Sequence, residues 1–231
     1  MNMPARRAAF LTAAAGMAHA VLFVASYWLI VGRLDPRASD AELAAMYGEH
    51  DLRLVIVAGL YLMPFAGIAF VWFIVALRMW IGASGAREDV LLSNVQLVSG
   101  ILYVALLFAS AAAAAASAAS VEFSSAPVDL ISARQMPSLS NVLLFVFAMR
   151  MGAMFVFTTS NIGNKAHVLP RWFVVVGFLV GLFLLLSATF SPLLVLVFPV
   201  WMLTLSFFLL LRARRIPTDA PLPVSLSTVP Q

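Results

Sequence analysis

The chain has 231 residues, of which 63% are hydrophobic and only 10% are charged. Soluble domains are typically about 45–50% apolar and about 25% charged, so this composition excludes an ordinary soluble protein and predicts an integral membrane protein. The absence of cysteine excludes disulfides, thiolate metal sites and a cysteine nucleophile. The formal net charge of +4 does not predict nucleic-acid binding, because the basic residues are scattered at the ends of apolar segments and form no patch.

The apolar segments predict an all-α, polytopic bundle of six transmembrane helices. Each segment is long enough to cross a hydrocarbon core of about 30 Å at about 1.5 Å per residue. The predicted spans are about 8–32, 54–80, 90–118, 141–160, 171–190 and 192–211. They form a single domain over residues 1–215, and the proline-rich tail 216–231 is predicted to be disordered in the cytoplasm.

The basic residues predict the orientation of the bundle. With both termini in the cytoplasm, nine of them lie inside and four outside, in agreement with the positive-inside rule. The nine are Arg6, Arg7, Arg78, Arg87, Lys165, Arg171, Arg212, Arg214 and Arg215. We therefore predict a multi-pass protein of the cell membrane.

Two longer connections are predicted on the outer side. In segment 33–53, Ser39 is followed three residues later by Glu42, which is a capping-box pattern that predicts a short surface helix. Segment 119–140 is rich in turn formers and is predicted to be irregular.

Arg150 is the most informative residue for function. It lies within the fourth predicted span, between apolar runs on both sides, where a charge costs roughly 2.5–3.5 kcal/mol on insertion scales. A guanidinium has five hydrogen-bond donors and accepts nothing, so it requires acceptors. No Asp or Glu occurs inside any of the six predicted spans. A buried positive charge without a carboxylate therefore favours an anion, a phosphate head group or water around Arg150.

Helical spacing suggests which side chains accompany Arg150. Asn161 shares its face of the fourth span, and the other spans offer polar groups near the membrane interior. The predicted ligand-binding residues are Arg150, Gln96, Tyr103, His19, Tyr61 and Asn161. The leading hypothesis is an internal polar pocket that binds or moves a small anionic or amphiphilic molecule. For His19 alone, a satisfied core histidine is the competing interpretation.

Two alternatives stay open. Arg150 could be a helix–helix or intersubunit tether in a structural or assembly subunit, and a lipid-modifying membrane enzyme is the less favoured third hypothesis. The sequence has no HExxH, GxSxG, Walker or GxGxxG motif, so no catalytic residue is predicted. Its three histidines fall in different membrane zones, so no metal site or cofactor is predicted either.

Gly177 and Gly181 form a GxxxG motif in the fifth span. Such small-residue pairs let two helices approach closely. The motif predicts helix packing within the chain, with a homo-oligomer through the same glycines as the alternative.

Four blocks carry a resemblance: YLMPFAGIAFVWFIVALRMW, SNVQLVSGILY, MRMGAMFVFTTSNIG and LPRWFVVVGFLVGLFLLLSATF. They resemble a bacterial family of six-span integral membrane proteins of unknown function. The resemblance covers nearly the whole chain. It implies the six-helix architecture and supplies no activity, ligand or catalytic residue.

Overall fold

The structure is a computed structural model that describes residues 5–34, 38–48, 52–83, 89–124, 129–187 and 192–214. Within these ranges every regular element is helical. The predicted disordered tail 216–231 lies outside the described residues.

Seven helices make up the described part of the chain. Two of them contain a π-helical segment, in which the backbone hydrogen bonds reach five residues instead of four. The helices are α1 (Ala5–Val31), α2 (Asp40–Gly48), α3 (Leu52–Val57, π segment Ala58–Leu62, Met63–Ala83), α4 (Val90–Ser124), α5 (Leu130–Asn141, π segment Val142–Ala148, Met149–Lys165), α6 (Arg171–Leu186) and α7 (Pro192–Arg214).

Five helices, α1, α3, α4, α5 and α7, are long and apolar enough to cross a membrane. The predicted all-α membrane bundle is thus confirmed. The predicted span 171–190 is the exception in length, because α6 has only 16 residues. At about 1.5 Å per residue it measures roughly 24 Å, which is less than the roughly 30 Å of a hydrocarbon core.

Of the two predictions for the longer connections, the structure confirms one and contradicts the other. The capping box is confirmed: Ser39 N donates to Glu42 Oε2 over 2.8 Å, and Glu42 N donates to Ser39 Oγ over 3.3 Å. The prediction of an irregular segment 119–140 was wrong, since α4 continues to Ser124 and α5 begins at Leu130. Alanines favour helix beyond the membrane edge, and Asp129 caps α5 by accepting from two backbone N–H groups.

A central layer of five rings joins the membrane-crossing helices. It consists of His19, Phe70, Tyr103, Phe155 and Phe198, one each from α1, α3, α4, α5 and α7, and all five side chains are buried. Phe70 and Tyr103 have ring centroids 5.0 Å apart, and Tyr103 and Phe198 are 4.7 Å apart. The layer gives a common reference level for all five helices.

Counting residues from the central layer locates the two membrane faces. Arg7 lies twelve residues before His19, about 18 Å away, at what we name the N-terminal face. Trp28 lies nine residues after His19, about 14 Å away, at the opposite face. Trp28 and Tyr61 are 52% and 57% exposed at the opposite face, and Trp172 is 60% exposed at the N-terminal face. Aromatic belts at both borders are typical of membrane proteins.

Beyond the opposite face, the ends of α4 and α5 continue and pack with α2 into a second, smaller core. Its buried members include Leu43, Tyr47 and Ala133. The ion pairs Arg53–Glu122 (2.9 Å) and Arg134–Asp40 (2.7 Å) lie on its surface. Exposed pairs of this kind stabilise little, so the apolar contacts hold this small cap together.

Substitution of Gly59 tests the close approach of α3 and α4. A Cβ at this position would lie 2.9 Å from the Ala111 carbonyl oxygen and 2.8 Å from the Ala115 Cβ, where the neighbouring backbone has no room to shift. We expect Gly59→Ala to lower the free energy of unfolding by about 1–3 kcal/mol, as overpacking does. Thermal unfolding in detergent measures the change. Gly82→Ala is the control, because a Cβ there meets nothing within 4 Å; equal loss in both variants would refute the explanation.

The link between α4 and α5 at the N-terminal face predicts a pH dependence. Asp89 accepts from the Lys165 ammonium over 2.7 Å and from Leu92 N over 3.2 Å. The Lys165 hydrogen bond, together with the Leu92 N–H, lowers the pKa of Asp89 below its ordinary value of 3.8. A depressed carboxyl pKa stabilises the fold above the unfolded-state pKa and loses that contribution as the pH falls through the folded-state pKa.

We therefore expect Asp89→Asn to lower the melting temperature slightly at neutral pH, and to have no effect at a pH well below 3.8. Melting curves of both proteins across the acid range measure this difference. A deficit in the variant that persists unchanged into strong acid would contradict the role of the carboxylate charge.

Candidate functional site

Arg150 lies on α5, two residues after the π segment Val142–Ala148 ends. Its side chain is half-buried, and its Nη1 donates to the Val146 carbonyl oxygen over 2.7 Å. Side chains on a helix lean toward the helix N-terminus, and the N-terminal end of α5 is at the opposite face. The guanidinium therefore extends about one turn from its own Cα toward the opposite face.

The central layer fixes the depth of Arg150. Phe155 is the α5 member of the layer, and Arg150 lies five residues before it in the chain. That is about 7.5 Å on the opposite-face side of the layer, and roughly 6 Å below the level of Trp28. The position is close enough to the membrane border for a long side chain to reach toward head groups.

The short helix α6 ends at nearly the same depth. Gly177 contacts Ser160 of α5, and one turn further along α6, Gly181 contacts Phe157. Continued in the same antiparallel register, Leu186 at the end of α6 reaches the turn of α5 that contains Arg150. The last carbonyls of a helix carry a partial negative charge. The length of α6 thus places a negative helix end at the depth of the cation.

The glycines of the GxxxG motif pack within the chain. Both glycines lie against α5 of the same molecule: a Cβ on Gly177 would meet the Ser160 hydroxyl, and a Cβ on Gly181 would lie 3.0 Å from the Phe157 ring. This is the packing within the chain that the motif predicts.

His19 and Tyr103 form a buried pair inside the central layer. The His19 Nδ1 lies 2.9 Å from the Ala66 carbonyl oxygen, which can only accept, so Nδ1 carries the proton. The Tyr103 hydroxyl lies 3.4 Å from Nε2 and is placed to donate to it. Both side chains are fully buried among aromatic rings. This is the geometry of a core histidine whose two ring nitrogens have partners.

The other predicted residues occupy separate places. Gln96 is fully buried and donates from Nε2 to the Thr159 hydroxyl over 2.7 Å. Asn161 is half-buried on α5, and Tyr61 is exposed at the opposite face. Of the predicted six, the structure joins His19 with Tyr103 and gives Gln96 a different partner. In the described ranges, none of the other five residues hydrogen-bonds to Arg150.

A groove that sequence reasoning missed runs between α6 and α7. Its volume is about 360 Å³, within the size range of small-molecule sites. Its lining residues are Trp172, Phe173, Val176, Val180, Leu196, Val197, Val200, Trp201 and Thr204. The groove depends on the shortness of α6. The apolar run in the sequence continues to residue 190, so it predicted a longer helix and gave no sign of the groove.

Comparison with protein-family models, with curated proteins and with solved structures found no match. The resemblance to a bacterial six-span family therefore stays a prediction. Within the described residues, no three His, Asp or Glu side chains gather in the way a metal ion requires.

The pair in the central layer can be tested by removing one hydroxyl. Tyr103→Phe leaves His19 Nε2 without a donor, and we expect it to lower the free energy of unfolding by about 1 kcal/mol, the typical worth of one hydrogen bond. Tyr61→Phe makes the same chemical change on an exposed side chain and should leave stability unchanged. Chemical unfolding of both variants in detergent measures the difference. If Tyr103→Phe were as stable as the wild type, the hydroxyl would have no role in holding the histidine.

Proposed function

We propose that this chain is a non-enzymatic, multi-pass protein of a bacterial cell membrane that binds or moves an anionic amphiphile through Arg150. In this proposal the chain crosses the membrane six times, with both ends in the cytoplasm, so that the opposite face is the outer one. The hydrogen bonding of the Arg150 guanidinium is the main support for this proposal. Within the described part of the chain, this group has one protein acceptor, the Val146 carbonyl oxygen.

The charge of Arg150 has no carboxylate to balance it in the membrane. All acidic side chains of the described ranges lie in the connections, at the helix ends beyond the membrane borders, or on the small cap; they are Asp40, Glu42, Asp89, Glu122 and Asp129. A guanidinium with unused donors pairs well with phosphate or carboxylate, because two parallel N–H groups match two oxygens. An anionic group is therefore the ligand that the chemistry of Arg150 favours.

The surroundings of Arg150 favour an amphiphile over a small soluble anion. Toward the opposite face, the same helix presents Phe147, which is exposed, and Val146, which is half-buried. Apolar side chains that are exposed at membrane depth contact lipid tails. A molecule with a tail along this surface and an anionic head near the outer border would meet the guanidinium from the lipid side. The buried residues His19, Tyr103 and Gln96 then serve the core of the bundle.

A structural role for Arg150 is the second candidate, supported by the register of α5 and α6. That register brings the negative end of α6 to the level of Arg150, where a cation stabilises the helix end by about 0.3–1 kcal/mol and up to about 2 kcal/mol when partly buried. In this case Arg150 would hold α6 against α5, and no ligand would be needed.

Replacing Arg150 separates the two candidates. For Arg150→Met we expect at least a tenfold loss of co-purified anionic lipid, measured by native mass spectrometry, because a charged hydrogen bond is worth about 1.5–3 kcal/mol. Arg53→Met is the matched control: it removes one arginine at the same face, from an exposed ion pair. It should retain the lipid.

Arg150→Lys sharpens the result. Lysine keeps the charge beside the α6 end but lacks the planar pair of donors, so it should preserve stability while it weakens lipid binding. The structural candidate replaces the binding one if Arg150→Met retains the lipid but melts at a lower temperature than the wild type, and if Arg150→Lys melts at the wild-type temperature.

A further inference from the structure

The groove between α6 and α7 exists because α6 is packed against α5 and stands off from α7. Its glycines draw it onto α5, as described above. Toward α7, Phe173 stacks on Trp201 with ring centroids 6.0 Å apart, and these rings form the floor of the groove. Between the floor and the surface, the two helices leave the volume of about 360 Å³ unfilled.

The walls of the groove are apolar and uncharged. Apart from the rings, they are lined by valine and leucine side chains, with Thr204 as the one hydroxyl residue. Thr204 Oγ1 donates to the Val200 carbonyl oxygen over 2.8 Å, so its hydrogen is already used within α7. Such walls fit a hydrocarbon chain and carry no charged side chain to pair with a charged group.

The mouth of the groove has the opposite character. Trp172 lies at the N-terminal face and is 60% exposed, and the neighbouring Arg171 begins α6 and is also exposed. Neither α6 nor α7 contains an acidic residue that could offset the charge of Arg171. The charge at the mouth is therefore positive, while the interior is apolar.

We propose that the groove holds an acyl chain of an anionic phospholipid, taken from the leaflet at the N-terminal face, with the phosphate beside Arg171. From Trp172 to Val180 the groove follows α6 for about 12 Å, from the membrane border toward its middle. An amphiphile with a negative head and an apolar tail matches both the charge of the mouth and the apolar walls. This site is distinct from Arg150, which lies in the other half of the bilayer.

Brominated lipids test the proposal, because bromine on an acyl chain quenches tryptophan emission at contact. The protein carries Trp28→Phe and Trp72→Phe, which removes two exposed tryptophans outside the groove. It is reconstituted into phosphatidylcholine vesicles with increasing brominated phosphatidylglycerol or, in parallel, brominated phosphatidylcholine. We expect brominated phosphatidylglycerol to reach the same quenching at about a fivefold lower mole fraction than brominated phosphatidylcholine. The reason is the attraction of one arginine for an anionic head group, which has about this strength.

Two variants locate the contact. Val200→Phe fills the groove from an exposed position and should abolish the preferential quenching, whereas Val75→Phe, the same change on the lipid-exposed surface of α3, should leave it intact. Arg171→Gln should remove the roughly fivefold preference for phosphatidylglycerol but keep the quenching by both lipids.

Equal quenching by both lipids in the parent protein would overturn the proposal, since ordinary lipid contact would then explain it. Preferential quenching that survives Val200→Phe would overturn it as well. A dimer in detergent that dissociates on Val200→Phe would assign the groove to a contact between two copies. Because an anionic lipid in the groove would also co-purify, Arg150→Met is compared with its parent in the Val200→Phe background, where the groove is filled, so the two proposals fail independently.

Discussion

The absence of water from the hydrocarbon region is the constraint on which the rest of this structure depends. A polar group buried there finds its partner within the protein or stays unpaired at a cost. His19 on α1 reaches a backbone carbonyl of α3, and so does Ser26, whose hydroxyl donates to the Ala58 carbonyl oxygen over 2.7 Å. That carbonyl opens the π segment before Pro64, where the backbone hydrogen-bond pattern is altered. At Ala58 a buried polar side chain thus hydrogen-bonds to a carbonyl of the irregular backbone.

The same constraint makes the length of α6 consequential. A helix of 16 residues ends inside the depth of the bundle, so its final carbonyls come to lie near Arg150 instead of at the membrane border. Because Gly177 and Gly181 fasten α6 to α5, the other side of α6 stands off from α7 and the groove opens there. The shortness and packing of α6 therefore account for both the helix end near Arg150 and the groove against α7.

Sequence patterns predicted the elements that depend on neighbouring residues. The Ser39–Glu42 capping box and the use of the glycine pair for packing are local signals, and the structure bears both out. Hydropathy located the spans but ended α4 too early, because polarity marks the membrane edge and not the end of a helix that alanines prolong. Helical spacing told which residues share a face but not which helix that face meets. Gln96 and Arg150 were both predicted to line one pocket, but Gln96 hydrogen-bonds to Thr159 instead.

The position of Arg150 follows from the geometry of α5 more than from the apolar run around it. Centred on that run, the residue falls near mid-membrane; measured from the central layer, it lies in the half next to the opposite face, and its side chain leans toward that face. Snorkelling of this kind lowers the cost of a charge without requiring a carboxylate. The bond to Val146 uses one donor and a carbonyl of the π segment, which leaves the planar edge of the guanidinium for another acceptor. The reduced cost of the charge at this depth and its unused donors are what support the proposed recognition of a negative head group that approaches from the lipid.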